Sequence, residues 1–184
     1  MDSLLPSPIR ILVVGTSSSG KTTYATRLAE ILNVPRIELD ELYWSRDWEP
    51  KPPDEFVRLV EHATTQSNWI VDGNYSAVRD HLWSRATMII WLNYSLPLAL
   101  WRGTKRSLGR CFTRQTLWHG NRETFRQTFF SRRSILVWIV TTHQRRRREF
   151  AIIRKSEQFP KADWLEFRRP SQAEHWLRQL HNAS

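Results

Sequence analysis

The chain has 184 residues, enough for one domain with a sizeable core and too few for two ordinary ones, and its single cysteine, Cys111, excludes an internal disulfide or a cluster of thiolate zinc ligands. No apolar run approaches the roughly 20 residues that span a bilayer, and Met1 to Ile11 lacks the basic start and apolar centre of a secretory signal, so a cytoplasmic protein with no membrane partner is expected. The net charge of +10 is uneven: residues 1–92 carry 9 Lys and Arg against 12 Asp and Glu (−3), residues 93–184 carry 19 against 6 (+13), so the second half is the one suited to anions.

The first predicted element is a buried strand at Ile11-Leu12-Val13-Val14. It runs directly into Gly15-Thr16-Ser17-Ser18-Ser19-Gly20-Lys21-Thr22, a full match to the phosphate-binding pattern G-x-x-x-x-G-K-[ST]. Glycines let the backbone curl so that successive N–H groups face an anion, the lysine reaches the β and γ oxygens, and the threonine offers a hydroxyl to Mg²⁺. Residues 21–32 read as a helix with Ala25, Leu28, Ala29 and Leu32 on one side, so its positive end faces the same anion. Gly15, Ser18, Ser19, Gly20, Lys21, Thr22 and Thr23 are therefore the predicted nucleotide-binding residues, with ATP and Mg²⁺ as the ligands.

After the break at Pro35, Arg36-Ile37-Glu38-Leu39 is a second strand ending on Asp40. Pro52 and Pro53 open a helix carrying Phe56, Val57, Val60 and Ala63, and Trp69-Ile70-Val71 is a third strand ending at Asp72-Gly73. Residues 87–92 form a fourth, apolar strand of the kind covered by helices on both faces, and Pro97 opens the next helix. The stretch from Arg102 to Arg133 is rich in arginine with weak periodicity and reads as a lid, centred on residues 107–133. A helix resumes at 134–148, with Arg145 to Arg148 expected as its solvated C-terminal end. Residues 164–167 form a last strand, and Ser171 and Glu174 suggest a capping box for the closing helix. Strands alternating with helices over the whole chain, 1–184, imply one α/β domain: a three-layer P-loop NTPase fold whose parallel sheet of about five strands is flanked by helices, with ligands at the carboxyl ends of the strands.

Phosphoryl transfer needs a phosphate cradle, a metal held through oxygen ligands, and cations that neutralise the moving group. Thr22 and Asp72 are the predicted metal ligands, Asp72 having a turn-forming role as its competing reading. Asp40 is the candidate base for a substrate hydroxyl. Arg102, Arg106 and Arg110 share one helical row, and with Arg114, Arg122 and Arg126 they are the cations predicted to close over the triphosphate; Lys21, Asp40, Arg106, Arg110 and Arg122 form the predicted catalytic set. Asp40, Trp44, Trp48 and Arg79 are the candidate acceptor contacts, the tryptophans by stacking on a ring.

These segments resemble the small P-loop proteins related to adenylate kinase and labelled topology modulation (FlaR-like) proteins. The resemblance covers nearly the whole chain and rests on Gly15 to Thr22, on Leu39-Asp40 followed by Trp44 and Trp48, on Trp69-Ile70-Val71-Asp72-Gly73-Asn74-Tyr75 and on Leu117-Trp118-His119-Gly120-Asn121-Arg122-Glu123. It implies ATP binding, and the Arg102/Arg106 pair is similar to an arginine pair that contacts ATP in adenylate kinases. Asn74-Tyr75 stands where those enzymes have Phe-Pro-Arg, removing an arginine expected to grip a monophosphate acceptor. Asn93 stands where related proteins can have Asp, which leaves Asp72 as the metal candidate. The expected activity is a Mg²⁺- and ATP-dependent phosphotransferase of the nucleoside or nucleotide kinase type. The alternatives are a kinase of a small non-nucleotide hydroxyl compound and a nucleotide-dependent DNA-binding, topology-modulating protein, the last unsupported by any DNA-reading motif.

Overall fold

A computed structural model describes residues 5–113, 116–121, 135–156 and 158–183. Five strands form one parallel sheet: β1 (Arg10–Gly15), β2 (Arg36–Glu38), β3 (Trp69–Asp72), β4 (Met88–Leu92) and β5 (Asp163–Phe167), in the order β2-β3-β1-β4-β5. The helices are α1 (Lys21–Leu32), α2 (Leu39–Tyr43), α3 (Pro53–Ala63), α4 (Arg79–Trp83), α5 (Leu96–Thr113), α6 (Ile135–Lys155) and α7 (Pro170–Ala183).

Ile11–Val14 of β1, Trp69–Val71 of β3 and Met88–Leu92 of β4 are apolar because alternate side chains enter two different cores. Leu12 and Val14 join Phe56, Val60, Leu82 and Phe150 beneath α3, α4 and α6. Ile11 and Val13 join Tyr24, Leu28, Ala173 and Leu177 beneath α1 and α7. Each fully buried aliphatic side chain contributes about 1.5–3 kcal/mol. A cluster of Trp83, Trp91, Trp164 and Phe150 fills the first of these cores, with ring centroids 5.6–6.4 Å apart. The chain leaves β1 toward β2 on one side and passes from β3 to β4 on the other, so the reversal lies beside β1 and opens a crevice at the strands' carboxyl ends.

Four expectations are corrected. The second strand stops at Glu38, and Asp40 lies in the first turn of α2 rather than at a strand tip. Within the stretch read as lid, Arg102 to Thr113 continue α5, because Ala99, Gly103 and Ser107 bury a narrow stripe of small residues against α6, while residues 114–115 and 122–133 of that stretch lie outside the described residues. The arginine run 145–148 is in the middle of α6, not at its end, because Phe150 and Ile153 carry the buried face two turns further. The start of α7 is capped by Gln172, whose Oε1 accepts from Arg168 and Arg169 N–H at 2.9 and 3.0 Å, while Glu174 is drawn off to Arg27 at 2.5 Å.

Candidate functional site

The phosphate loop leaves β1 at Gly15, where φ is +154° and an added Cβ would stand 2.7 Å from the Leu92 carbonyl oxygen. Ser18 takes φ +62° and Gly20, at the start of α1, takes +95°, so the backbone arches as the motif requires. Thr16, Ser18 and Ser19 are buried, and among the described residues their hydroxyls have no hydrogen-bond partner. Lys21 folds back over the arch, its Nζ donating to the Thr16 carbonyl at 3.1 Å. Burial lowers its pKa to about 8; Asp40 and Asp72 pull it up, and Arg146 and Arg106 push it down. Thr22 and Thr23 occupy the exposed first turn of α1.

An acidic pair faces that turn. Glu38 and Asp72 are neighbours in the β2–β3 register. The Thr22 hydroxyl donates to Glu38 Oε1 at 3.5 Å, and Arg36 Nη1 lies 3.0 Å from Glu38 Oε2 and 3.7 Å from Asp72 Oδ2. Asp72 is 2% exposed, with the Arg36 guanidinium as an ion-pair neighbour and the Thr22 hydroxyl and Lys21 also favouring its ionised form. Burial, with the Glu38 carboxylate beside it, raises its pKa to about 6. Among the described residues no group of three or more His, Cys, Asp or Glu forms a metal cage. Mg²⁺ does not need one, since it is held by one or two carboxylates plus phosphate and water, and the buried Asp72 carboxylate beside Thr22 and Glu38 fits that demand.

Among the candidate acceptor contacts, Asp40 accepts from Tyr75 O–H through Oδ1 at 2.7 Å. Burial and the Asp40 charge push the Tyr75 pKa up, so the phenol stays a donor. From Tyr75 an aromatic row runs through Tyr43 (4.5 Å), Trp44 (4.8 Å) and Trp48 (5.8 Å) to Trp118 (6.3 Å). It is held by buried Asn121, whose Oδ1 accepts from Trp48 N–H at 3.1 Å and whose Nδ2 donates to the Ser45 carbonyl at 2.7 Å. Trp44 N–H donates to the Asp40 carbonyl at 3.1 Å, and Trp48 stands one ring further along the row.

The cations come from α5 and α6. Arg102 donates to the Ser19 carbonyl at 2.8 Å and lies over the Tyr94 ring at 5.2 Å. Arg102, Lys105, Arg106 and Arg110 line one open groove of about 460 Å³ with Gly109 and Thr113, as their spacing predicts. Arg146, half-buried, donates to the Asn74 carbonyl at 3.0 Å, and burial lowers its pKa. Arg79 is engaged by Glu149 at 2.5 Å and lies over the Trp83 ring at 5.6 Å. Arg122, with Arg114 and Arg126, lies outside the described residues. Asn93 donates to Glu166 at 2.7 Å and so faces β5, not the metal candidates.

Sequence reasoning passes over Glu38, Asn74, Asn121 and Arg146. For Arg146 a signal exists: Ile139, His143, Arg146, Phe150 and Ile153 fall on one helical row, which puts the arginine on the inward face.

No protein-family model matches this chain, and no curated protein matches it in sequence. Solved structures do match. A gluconokinase from Sinorhizobium meliloti 1021 is 18% identical with a TM-score of 0.51, covering 96% of this chain and 95% of its own. A shikimate kinase from Bacteroides thetaiotaomicron is 15% identical with a TM-score of 0.54, covering 95% of this chain and 97% of its own. At these identities the likeness shows the fold, which is that of the P-loop kinases.

Proposed function

We propose that the protein is a Mg²⁺- and ATP-dependent kinase that phosphorylates a hydroxyl of a small molecule. The observation that carries this reading is the convergence on Lys21 of two carboxylates with different surroundings: Asp40, bonded to Tyr75, and Asp72, buried at the end of β3 beside Arg36 and Thr22. Lys21 and the loop N–H groups hold the triphosphate. Thr22, Asp72 and Glu38 would hold Mg²⁺, which supplies charge neutralisation at the phosphates. Asp40 takes the proton of the acceptor hydroxyl as its oxygen bonds to the γ phosphorus and the bond to ADP breaks. Arg106 and Arg146, the cations felt by Lys21, neutralise the transferring group. The gluconokinase and shikimate kinase neighbours support a small hydroxyl acceptor, and the aromatic row from Tyr43 to Trp118 supports a second reading in which the acceptor is a nucleoside stacked on a tryptophan.

The test is an ADP-release screen with Mg²⁺ and ATP over nucleosides, nucleoside monophosphates, sugar acids and other small hydroxy compounds, with Lys21→Ala as the control. One acceptor giving phosphorylated product in the wild type and none in the control is the expected result. Sequence-selective DNA binding near physiological salt, with no acceptor phosphorylated, would overturn it.

A further inference from the structure

The segment Asp72-Gly73-Asn74-Tyr75 gives each of its residues a different neighbour. Asp72 faces the metal candidates, and Tyr75 holds Asp40. Gly73, at φ +143°, packs so closely on Leu39 that an added Cβ would lie 2.7 Å from the leucine Cβ. Asn74 reaches the phosphate loop. Its Oδ1 accepts from Gly15 N–H at 3.3 Å and its Nδ2 donates to the Gly15 carbonyl, so one carboxamide is bonded to both polar groups of one residue.

The place of this contact matters. The β1–β3 ladder ends at the pair Val13 and Asp72, and Gly73 N–H donates to the Val13 carbonyl at 3.4 Å as the last main-chain contact. The next rung along β1 is made by the Asn74 side chain, which substitutes for a strand neighbour at the point where the chain turns into the loop. That point is a glycine, the residue with most backbone freedom to lose. The Asn74 carbonyl meanwhile accepts from Arg146, which ties the same residue to α6.

We infer that Asn74 is a positioning residue: its amide fixes Gly15 and so presets the phosphate loop, and its carbonyl sets Arg146 against the same loop, so that nucleotide affinity depends on both bonds as one strut. The assignment rests on the reading that the loop binds ATP. Aspartate at this position would keep the acceptor for Gly15 N–H but place an oxygen against the Gly15 carbonyl and a negative charge at the mouth of an anion site, so it should be worse than alanine.

The experiment uses the full chain in two measurements. In nucleotide-free protein, the Gly15 amide should exchange with solvent about tenfold faster in Asn74→Ala than in wild type, while the amides of Ile11 to Val13 keep their wild-type rates. ATP affinity by calorimetry with Mg²⁺ present should fall about tenfold in Asn74→Ala and further in Asn74→Asp, and the losses in Asn74→Ala and Arg146→Ala should combine to less than their product. Wild-type exchange at Gly15 in Asn74→Ala overturns the inference, as does a lowered melting temperature with ATP affinity within twofold of wild type, or losses that multiply. Should Asn74→Ala fail to fold, Asn74→Ser undergoes the same measurements with the same criteria. If the wild type binds no ATP, the nucleotide reading falls while Gly15 exchange still decides whether the amide orders the loop.

Discussion

Lys21 is a half-buried cation in the phosphate loop, and this would make the proposed nucleotide binding a proton-linked event. Burial holds its pKa near 8 because Asp40 and Asp72 only partly offset the loss of water, and because Arg146 and Arg106 oppose a further positive charge. A bound triphosphate reverses that balance: it stabilises the ammonium and raises the pKa. With a pKa near 8 the free protein loses this proton across the range around pH 8, so the proton taken up on ATP binding should grow from a small fraction at pH 7 toward a whole proton at higher pH. The sign follows from the lowered pKa: the proton missing from the free state above pH 8 is present in the bound state, so affinity falls with rising pH, approaching about tenfold per unit above pH 9. Triphosphate oxygens are already ionised there. Calorimetric titration with ATP in two buffers of different ionisation heat reads the uptake directly, and Lys21→Ala supplies the blank. A wild-type uptake near zero at pH 8.5, or one that survives in Lys21→Ala, would refute the argument.

Asp72→Asn should stabilise the protein while removing Mg²⁺-dependent nucleotide binding: with the carboxyl pKa raised from 3.8 to about 6, ionised Asp72 opposes folding by roughly 2–3 kcal/mol, fully above pH 6, decreasingly between 6 and 3.8, and not at all below. Melting curves at pH 7.5 and pH 4 should therefore show a higher midpoint for the variant at the first pH and no gain at the second; equal midpoints at pH 7.5 would mean that Asp72 is not strained. Asp40→Asn should leave ATP affinity within about twofold and lower turnover roughly 100-fold, while Tyr75→Phe, which removes only the bond to Asp40, should lower it about tenfold, both read as product formation with the acceptor found by the screen.

The phosphate loop was legible because its requirements are local: a four-residue apolar run, glycines at the bends and a lysine at the head of a helix. Asp72 followed from the same logic, one strand over. Glu38 was not legible because the strand boundary falls one residue earlier than its apolar pattern suggests; Leu39 continues the alternation but begins α2, turning Asp40 toward Tyr75 and leaving Glu38 beside Asp72. Arg146 was masked by its neighbours, since four arginines in a row read as solvent-facing until Phe150 and Ile153 show that the helix continues. The two asparagines carry no chemical signature of their own, and their roles depend on chain segments 59 and 73 residues away.

The placement of the ten tryptophans gives the protein two built-in optical reporters. Trp69, Trp83 and Trp91 lie in dry surroundings at 0%, 5% and 3% exposure, so their emission tracks the integrity of the sheet. Trp44, Trp48 and Trp118 form one half-exposed row, where an acceptor bound as proposed would displace water from their faces. A collisional quencher added to the solution reaches the second set far more readily than the first. Trp101 and Trp138, at 61% and 46% exposure, are open to the quencher as well, so occupancy of the proposed acceptor side would register as a partial loss of quenching with the buried emission constant.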